Sequence, residues 1–354
     1  MRKGTHVAVI RTVLGDIPSE RAGITLAHEH ILYAYPGADL DHRTQFDFEE
    51  IADTVAAVAR AGREENGIAT LVEMTPVEVC RHPPLMRTVS ERSGVNVIAV
   101  TGFFPESMGI PYYWRRQTGE ELAGFFVTDL TEGMIFHGAQ TGIRAGAIKI
   151  ATGGEGVSAR PSPVGPVGRR ITKIEDRIIR AAAQAQQAVG CGINTHTDPN
   201  DYAVTNPGIE QLDILAEEGA DVTKVIVGHA FIMPRDMEQV LEICARGATV
   251  NVDHVGIPWK HDSVDRLDSL LAERVAEVVE RGYADQISMS YDRWFFNPRA
   301  KVTELDPEFL NAKVPYSHMF DSFLPRLAKM GVPEDVSMRF LVDTPRRIFE
   351  LTPA

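Results

Sequence analysis

Short apolar runs rich in β-branched residues alternate along this chain with longer stretches whose apolar positions recur at helical spacing. Eight runs stand out, at 24–30, 68–74, 95–101, 145–151, 189–195, 224–229, 248–253 and 286–292. Their near-continuous apolar character suits parallel strands buried on both faces. The stretches between them carry helix signals. Asp47 with Glu50, Thr118 with Glu121, and Thr172 with Glu175 have the spacing of an N-cap and its reciprocal partner. Gly67, Gly247 and Gly282 follow the last apolar position of their stretches, where a glycine ends a helix.

Eight strands alternating with helices predict a single (β/α)8 TIM barrel over 1–354. Residues 1–22 form a short extension, and 297–354 read as closing helices, with Pro345 near the start of the last. A doubly wound open sheet is the competing α/β architecture. It would show a glycine-rich phosphate loop after the first strand, whereas this first strand ends in His28-Glu29-His30. The "TGGEG" stretch at 152–156 has the wrong spacing for that loop. Two long strand-to-helix loops, 103–118 and 153–170, belong at the carboxyl mouth of such a barrel.

The polar residues at the strand ends change the picture from fold to chemistry. Strand one ends in His28 and His30, strand four carries Lys149, strand five ends near His196, strand six ends in His229, and strand eight ends in Asp292. Strand alternation puts i and i+2 on one side, so His28 and His30 both face the mouth and Glu29 points the other way. Neutral imidazole and carboxylate are preferred ligands for zinc and related divalent ions. Four histidines and an aspartate exceed what one tetrahedral ion with an open position can use, so two ions are expected. Zn2+ leads, with Mn2+, Co2+ or Fe2+ as alternatives. A buried lysine can lose its proton. The amine of Lys149 can then take up carbon dioxide to give a carbamate with two anionic oxygens. The expected centre has His28, His30 and Asp292 on one ion, His196 and His229 on the other, and carbamylated Lys149 between. A hydroxide bridging the ions would attack the electrophile, and Asp292 would take its proton. Any one of these residues alone reads as structural; six at the ends of five strands do not. His6, His42, His82, His137 and His318 lack strand-end placement and are read as structural.

Composition narrows the partners. A formal charge of −13 argues against nucleic acid or an anionic membrane. Three scattered cysteines do not make a disulfide framework and suit a reducing cytoplasm. The apolar run after the basic start is four residues long, too short for a signal-peptide core, and 18 consecutive apolar residues occur nowhere.

The motifs "ITLAHEHI", "TGIRAGAIKIAT", "THTD", "VIVGHA", "NVDHVGIP" and "RGYADQISMSYDRW" together resemble the phosphotriesterase-related branch of the amidohydrolase superfamily over nearly the whole chain. The resemblance implies a (β/α)8 barrel, two zinc-like ions, a carboxylated lysine, and the ligands His28, His30, Lys149, His196, His229 and Asp292. It also implies a homodimer. Lactonase members place a tyrosine after strand three, where Phe104 stands here, and an arginine after strand seven, where His254 stands, as in the phosphotriesterases proper. His254 is thereby implied in a proton relay from Asp292. The aspartate that ends this relay after the strand-six histidine is replaced by Ala230, Phe231 and Ile232.

The expected substrate pocket is aromatic: Phe103, Phe104, Tyr112, Tyr113 and Trp114 from the third loop, Trp259 and His261 from the seventh, and Arg293 and Trp294 from the eighth. The expectation is a hydrolase of lactones, carboxylic esters or amides, with promiscuous action on organophosphate triesters. A dedicated phosphotriesterase and a non-catalytic metal- or ligand-binding protein are the competing readings.

Overall fold

The computed structural model describes residues 8–41, 47–153, 171–203, 205–232, 236–257, 263–295 and 315–351. Eight parallel strands follow one another around the molecule: β1 Ile24–Glu29, β2 Ile68–Glu73, β3 Asn96–Gly102, β4 Ala147–Thr152, β5 Gly192–Thr197, β6 Val225–Gly228, β7 Thr249–Val252 and β8 Ile287–Met289. The ladder closes beyond the formal strand ends. Asp292 N–H donates to the His28 carbonyl at 3.0 Å, and His30 N–H donates to the Arg293 carbonyl at 2.8 Å. His30 and Trp294 form a parallel bridge. The barrel is therefore sealed by the backbone of the residues that carry its candidate chemistry.

Alternation sorts the side chains into two layers. Leu71, Val97, Ile148, Ile193, Val225, Val250 and Ile287 face the helices and join the main core. Val72, Ile98, Val100, Ala147 and Ile226 face the barrel axis. The floor is plugged by Ile10, Ala22, Ile348 and Phe349. These come from chain ends that meet in one small sheet, where Val9–Thr12 pairs with both Gly15–Pro18 and Glu350–Leu351. Gly192 permits the plug to seat: a Cβ there would lie 2.7 Å from the Ile348 carbonyl oxygen. The interior above the floor is polar, with Lys149, Asn194, Asn251 and Ser288 on β4, β5, β7 and β8.

The helix signals agree with the structure. Asp47 accepts from the N–H of Glu49 and Glu50 ahead of Phe48–Asn66, and Thr118 and Thr172 each complete a capping box. The fifth strand begins later than its apolar run, at Gly192, because Lys173–Val189 stays helical until Gly190 turns left-handed at its C-cap. The last helix, Asp343–Phe349, has Pro345 near its start as expected and ends where Glu350 and Leu351 leave it to pair with Ile10 and Val9. Loop 153–170 and the start of the closing segment fall largely outside the described residues. No described helix is long and apolar enough to cross a membrane.

Candidate metal centre

Strand β1 does not present its histidines by simple alternation. Leu26 pairs with Leu71 and Glu29 with Glu73, so β1 takes three steps while β2 takes two. That extra residue is a bulge. It lets Leu26 pack outward while His28 and His30 turn toward the mouth, both buried. Glu29 turns away and is also buried. Its carboxylate accepts the N–H of Tyr291 at 2.8 Å and that of Arg293 at 3.3 Å.

Three other site residues are aimed by unusual backbone. His229, His254 and Asp292 have φ of 65°, 63° and 52°. Residues with a Cβ rarely occupy this left-handed region, and each such residue costs about 1–3 kcal/mol unless its surroundings impose it. Here the turn redirects His229 and His254, which alternation would send outward with Val227 and Val252, whereas Asp292 already shares the inward parity of Ser288. Gly102, at the end of β3, meets a different demand: a Cβ there would overlap the Lys149 carbonyl oxygen at 1.8 Å.

The result is a tight cluster on the barrel axis. His30 Nε2 lies 3.2 Å and His28 Nε2 3.6 Å from Asp292 Oδ1. His229 Nδ1 and His254 Nε2 lie 3.8 and 3.7 Å from Asp292 Oδ2. The His196 and His229 rings are edge to face, with centroids 4.4 Å apart. Lys149 Nζ sits 3.2 Å from His28 Nε2 and 3.4 Å from Asn194 Oδ1. Asp253, one step above Asn251 on the inward side of β7, completes the group. Its Oδ2 is 3.0 Å from His229 Nδ1 and its Oδ1 3.4 Å from His254 Nδ1. Asp253 was not among the residues expected from sequence, although its position two after inward-facing Asn251 was the available signal.

The donors fit divalent cations. His28, His30 and Asp292 form one set with all ligand atoms within 4.8 Å of one another; His28, His229 and Asp253 form a second, and His229, His254 and Asp292 a third. His28 Nδ1 is buried and makes no hydrogen bond. A buried polar atom without a partner is costly, and coordination would satisfy it. Charge leads to the same conclusion. Burial opposes ionisation of Asp292 and Asp253, yet the surrounding histidines hold both carboxyls below their ordinary range. Burial lowers the pKa of His28, His30 and His196. It opposes charge on His229 too, but Asp253 outweighs it and raises that pKa. Two buried carboxylates thus draw a positive charge into the cluster, and a cation can supply it in place of a proton. Burial pushes the Lys149 ammonium down to about 8, against the pull of Asp292 and Asp253.

The expected pocket residues divide. Phe104 faces the mouth, its ring 4.9 Å from that of His196, and Trp294 stacks on Tyr33 at 4.9 Å beside His30. Tyr33, 6.0 Å from Phe104, is the missing member of this wall; it stands just after His-Glu-His in the sequence. Phe103 is turned the other way, completely buried between Trp114 and Phe126 in the helix layer, because consecutive residues leaving β3 point to opposite sides. Trp114 goes with it, packed on Phe125 at 4.3 Å. Tyr112 and Tyr113 project into solvent from a one-turn helix. The Arg293 guanidinium is directed to the rings of Phe295 and Tyr316, at 5.2 and 5.0 Å. Trp259 and His261 lie outside the described residues.

The chain matches the model of the phosphotriesterase family over residues 8–349. It is 30% identical over 348 residues to a phosphotriesterase homology protein of Mycobacterium tuberculosis, covering 96% of this chain and 97% of that one. It is 27% identical to an aryldialkylphosphatase of Saccharolobus solfataricus, covering 94% and 97%. A structure of a phosphotriesterase-like lactonase mutant from Deinococcus radiodurans superposes with a TM-score of 0.80 at 27% identity, covering 96% and 99%.

Proposed function

The chain belongs to the phosphotriesterase family, and from that premise we propose a binuclear metal-dependent hydrolase that opens lactones, carboxylic esters or amides. The observation that carries this reading is the overlap of three ligand sets that share His28, His229 and Asp292 around a buried lysine. A single ion cannot use so wide a cluster, whereas two can. His28, His30 and Asp292 would hold one and His196 and His229 the other. Lys149 is placed beside His28 to contribute to both once its amine adds to carbon dioxide, releasing one proton and leaving a carbamate.

Zinc is the best match to an imidazole-rich donor set. Bound there, a pair of such ions supplies Lewis acidity and a water of lowered pKa. The chain supplies the rest. Asp292 takes the proton from the attacking water at its carboxylate. His254 Nε2, 3.7 Å from Asp292 Oδ2, receives it next. Asp253 Oδ1, 3.4 Å from His254 Nδ1, stabilises the imidazolium so formed. This relay ends on Asp253 and does not need the carboxylate that Ala230, Phe231 and Ile232 replace. Tyr33, Phe104 and Trp294 exclude water and accept an apolar group beside the scissile bond.

Lactone, aryl ester, N-acyl amide and dialkyl aryl phosphate substrates, assayed on one metal-loaded preparation, test this reading. The highest kcat/KM is expected on a carbon ester, lactone or amide. A triester preferred by orders of magnitude identifies a dedicated phosphotriesterase, which the Saccharolobus relative makes the second reading. Stoichiometric metal with no turnover identifies a binding protein.

A further inference from the structure

Strand β2 offers no ligand to the cluster, yet its end touches one. His30 Nδ1 lies 2.9 Å from Thr75 Oγ1, and Thr75 Oγ1 donates to Glu73 Oε1 at 2.5 Å. All three residues are buried, Thr75 and Glu73 completely. The Glu73 carboxylate also accepts the backbone N–H of Ile31 on Oε1 at 3.0 Å and that of Thr75 on Oε2 at 3.2 Å. It is therefore anchored to the end of β1 and to the turn that follows its own strand.

A hydroxyl has one hydrogen. As a carboxylate that already takes a backbone N–H on each oxygen, Glu73 accepts, so the Thr75 hydrogen points at Glu73. Thr75 Oγ1 can then serve His30 only as an acceptor, which requires the hydrogen of His30 to be on Nδ1. The Nε2 lone pair consequently faces Asp292 Oδ1 at 3.2 Å. Two acceptors at that distance repel unless a cation lies with them.

We propose that Thr75 and Glu73 are positioning residues that fix the tautomer and ring angle of His30 through a hydroxyl relay, so that Nε2 is presented to a metal ion. The arrangement is a carboxylate–histidine–metal triad with a threonine inserted. It differs from the other side of the cluster, where Asp253 stands directly against His229. The two metal subsites are thus held by different devices, one from β7 and one from β2. This inference rests on the binuclear reading given above.

The test uses the zinc-loaded full chain and three variants, Thr75→Val, Thr75→Ser and Glu73→Gln. Competition with a chromophoric chelator reads the affinity of each metal equivalent, and thermal unfolding of the metal-free protein reads the fold. Thr75→Val is expected to weaken one equivalent about 10–100-fold and leave the other unchanged. Thr75→Ser is expected to restore wild-type affinity, and Glu73→Gln to fall between. Two equivalents at wild-type affinity in Thr75→Val, or failure of Thr75→Ser to restore binding, overturns the relay. If Thr75→Val does not fold, the wild-type imidazole 15N resonances decide: a hydrogen on Nδ1 of His30 supports the relay and one on Nε2 overturns it. Fewer than two equivalents in the wild-type chain overturns the binuclear reading itself, whatever the variants do.

Discussion

Glu29, the residue between the two candidate ligands of β1, accepts the backbone N–H of Tyr291 at 2.8 Å and so fastens the first strand to the end of the eighth. The ladder between these strands is completed only by the residues beyond β8. The carboxylate fills a gap where the backbone pairing has not yet closed. In one three-residue motif, two imidazoles face the reaction chamber and the carboxylate between them holds the wall.

Glu29 should give the fold an inverse pH response. Its carboxyl titrates near 4.5 when unfolded and, because burial outweighs its N–H donors, near 8 when folded. The folded state therefore binds the extra proton. The stabilisation is fully present below the unfolded pKa and is lost as pH rises through the folded one. Glu29→Gln keeps a neutral side chain. The unfolding free energy of wild type minus that of Glu29→Gln should fall between about pH 5 and about pH 9. A difference that stays constant or grows refutes the assignment. Glu29→Ala leaves a buried N–H unpaired and should cost about 1–3 kcal/mol by denaturant unfolding.

Phe103 and Phe104 should separate stability from substrate preference. Phe103→Ala empties a site in the helix layer and should cost about 3–5 kcal/mol, with an unchanged order of substrates. Phe104→Ala should lower kcat/KM about tenfold for a bulky apolar substrate, equivalent to about 1.4 kcal/mol, with little effect on a small one. Denaturant melts and kinetics on both variants check this; a substrate shift in Phe103→Ala would place the pocket on the wrong side of β3.

Removing metal should loosen the chamber. A site filled at about 100 times its Kd contributes about 2.7 kcal/mol to the folded state. Chelation should therefore lower the melting temperature by several degrees, and zinc or manganese should restore it. An unchanged melting temperature after verified metal loss would contradict a centre tied into five strands.

Lys149 should respond to both carbon dioxide and pH. With its pKa near 8, the neutral amine fraction grows as pH rises through that value. Reconstitution of chelated enzyme should be faster with bicarbonate than with metal alone, and faster at about pH 9 than at about pH 7. Lys149→Met should bind fewer than two metal equivalents by elemental analysis. Equal recovery with carbon dioxide excluded, or full activity in Lys149→Met, would remove the carbamate.

The sequence determined the parts whose physical cause is local. Buried parallel strands need continuous apolar runs, amphipathic helices need a helical period, and helix ends need caps, so the order of β1–β8 and the Asp47, Thr118 and Thr172 caps were readable from neighbours in the chain. Strand ends are where a barrel exposes side chains to its mouth, which made His28, His30, Lys149, His196, His229 and Asp292 legible as one set. Tertiary structure decided where each side chain points. A bulge in β1 and left-handed backbone at His229 and His254 override alternation. Such conformations are unfavourable in isolation and persist only where the closed ladder imposes them. The same holds for Asp253 against His229, for Thr75 against His30, and for Phe103 turned from the pocket that Phe104 lines. Each depends on a contact with a distant strand or helix that no local pattern encodes.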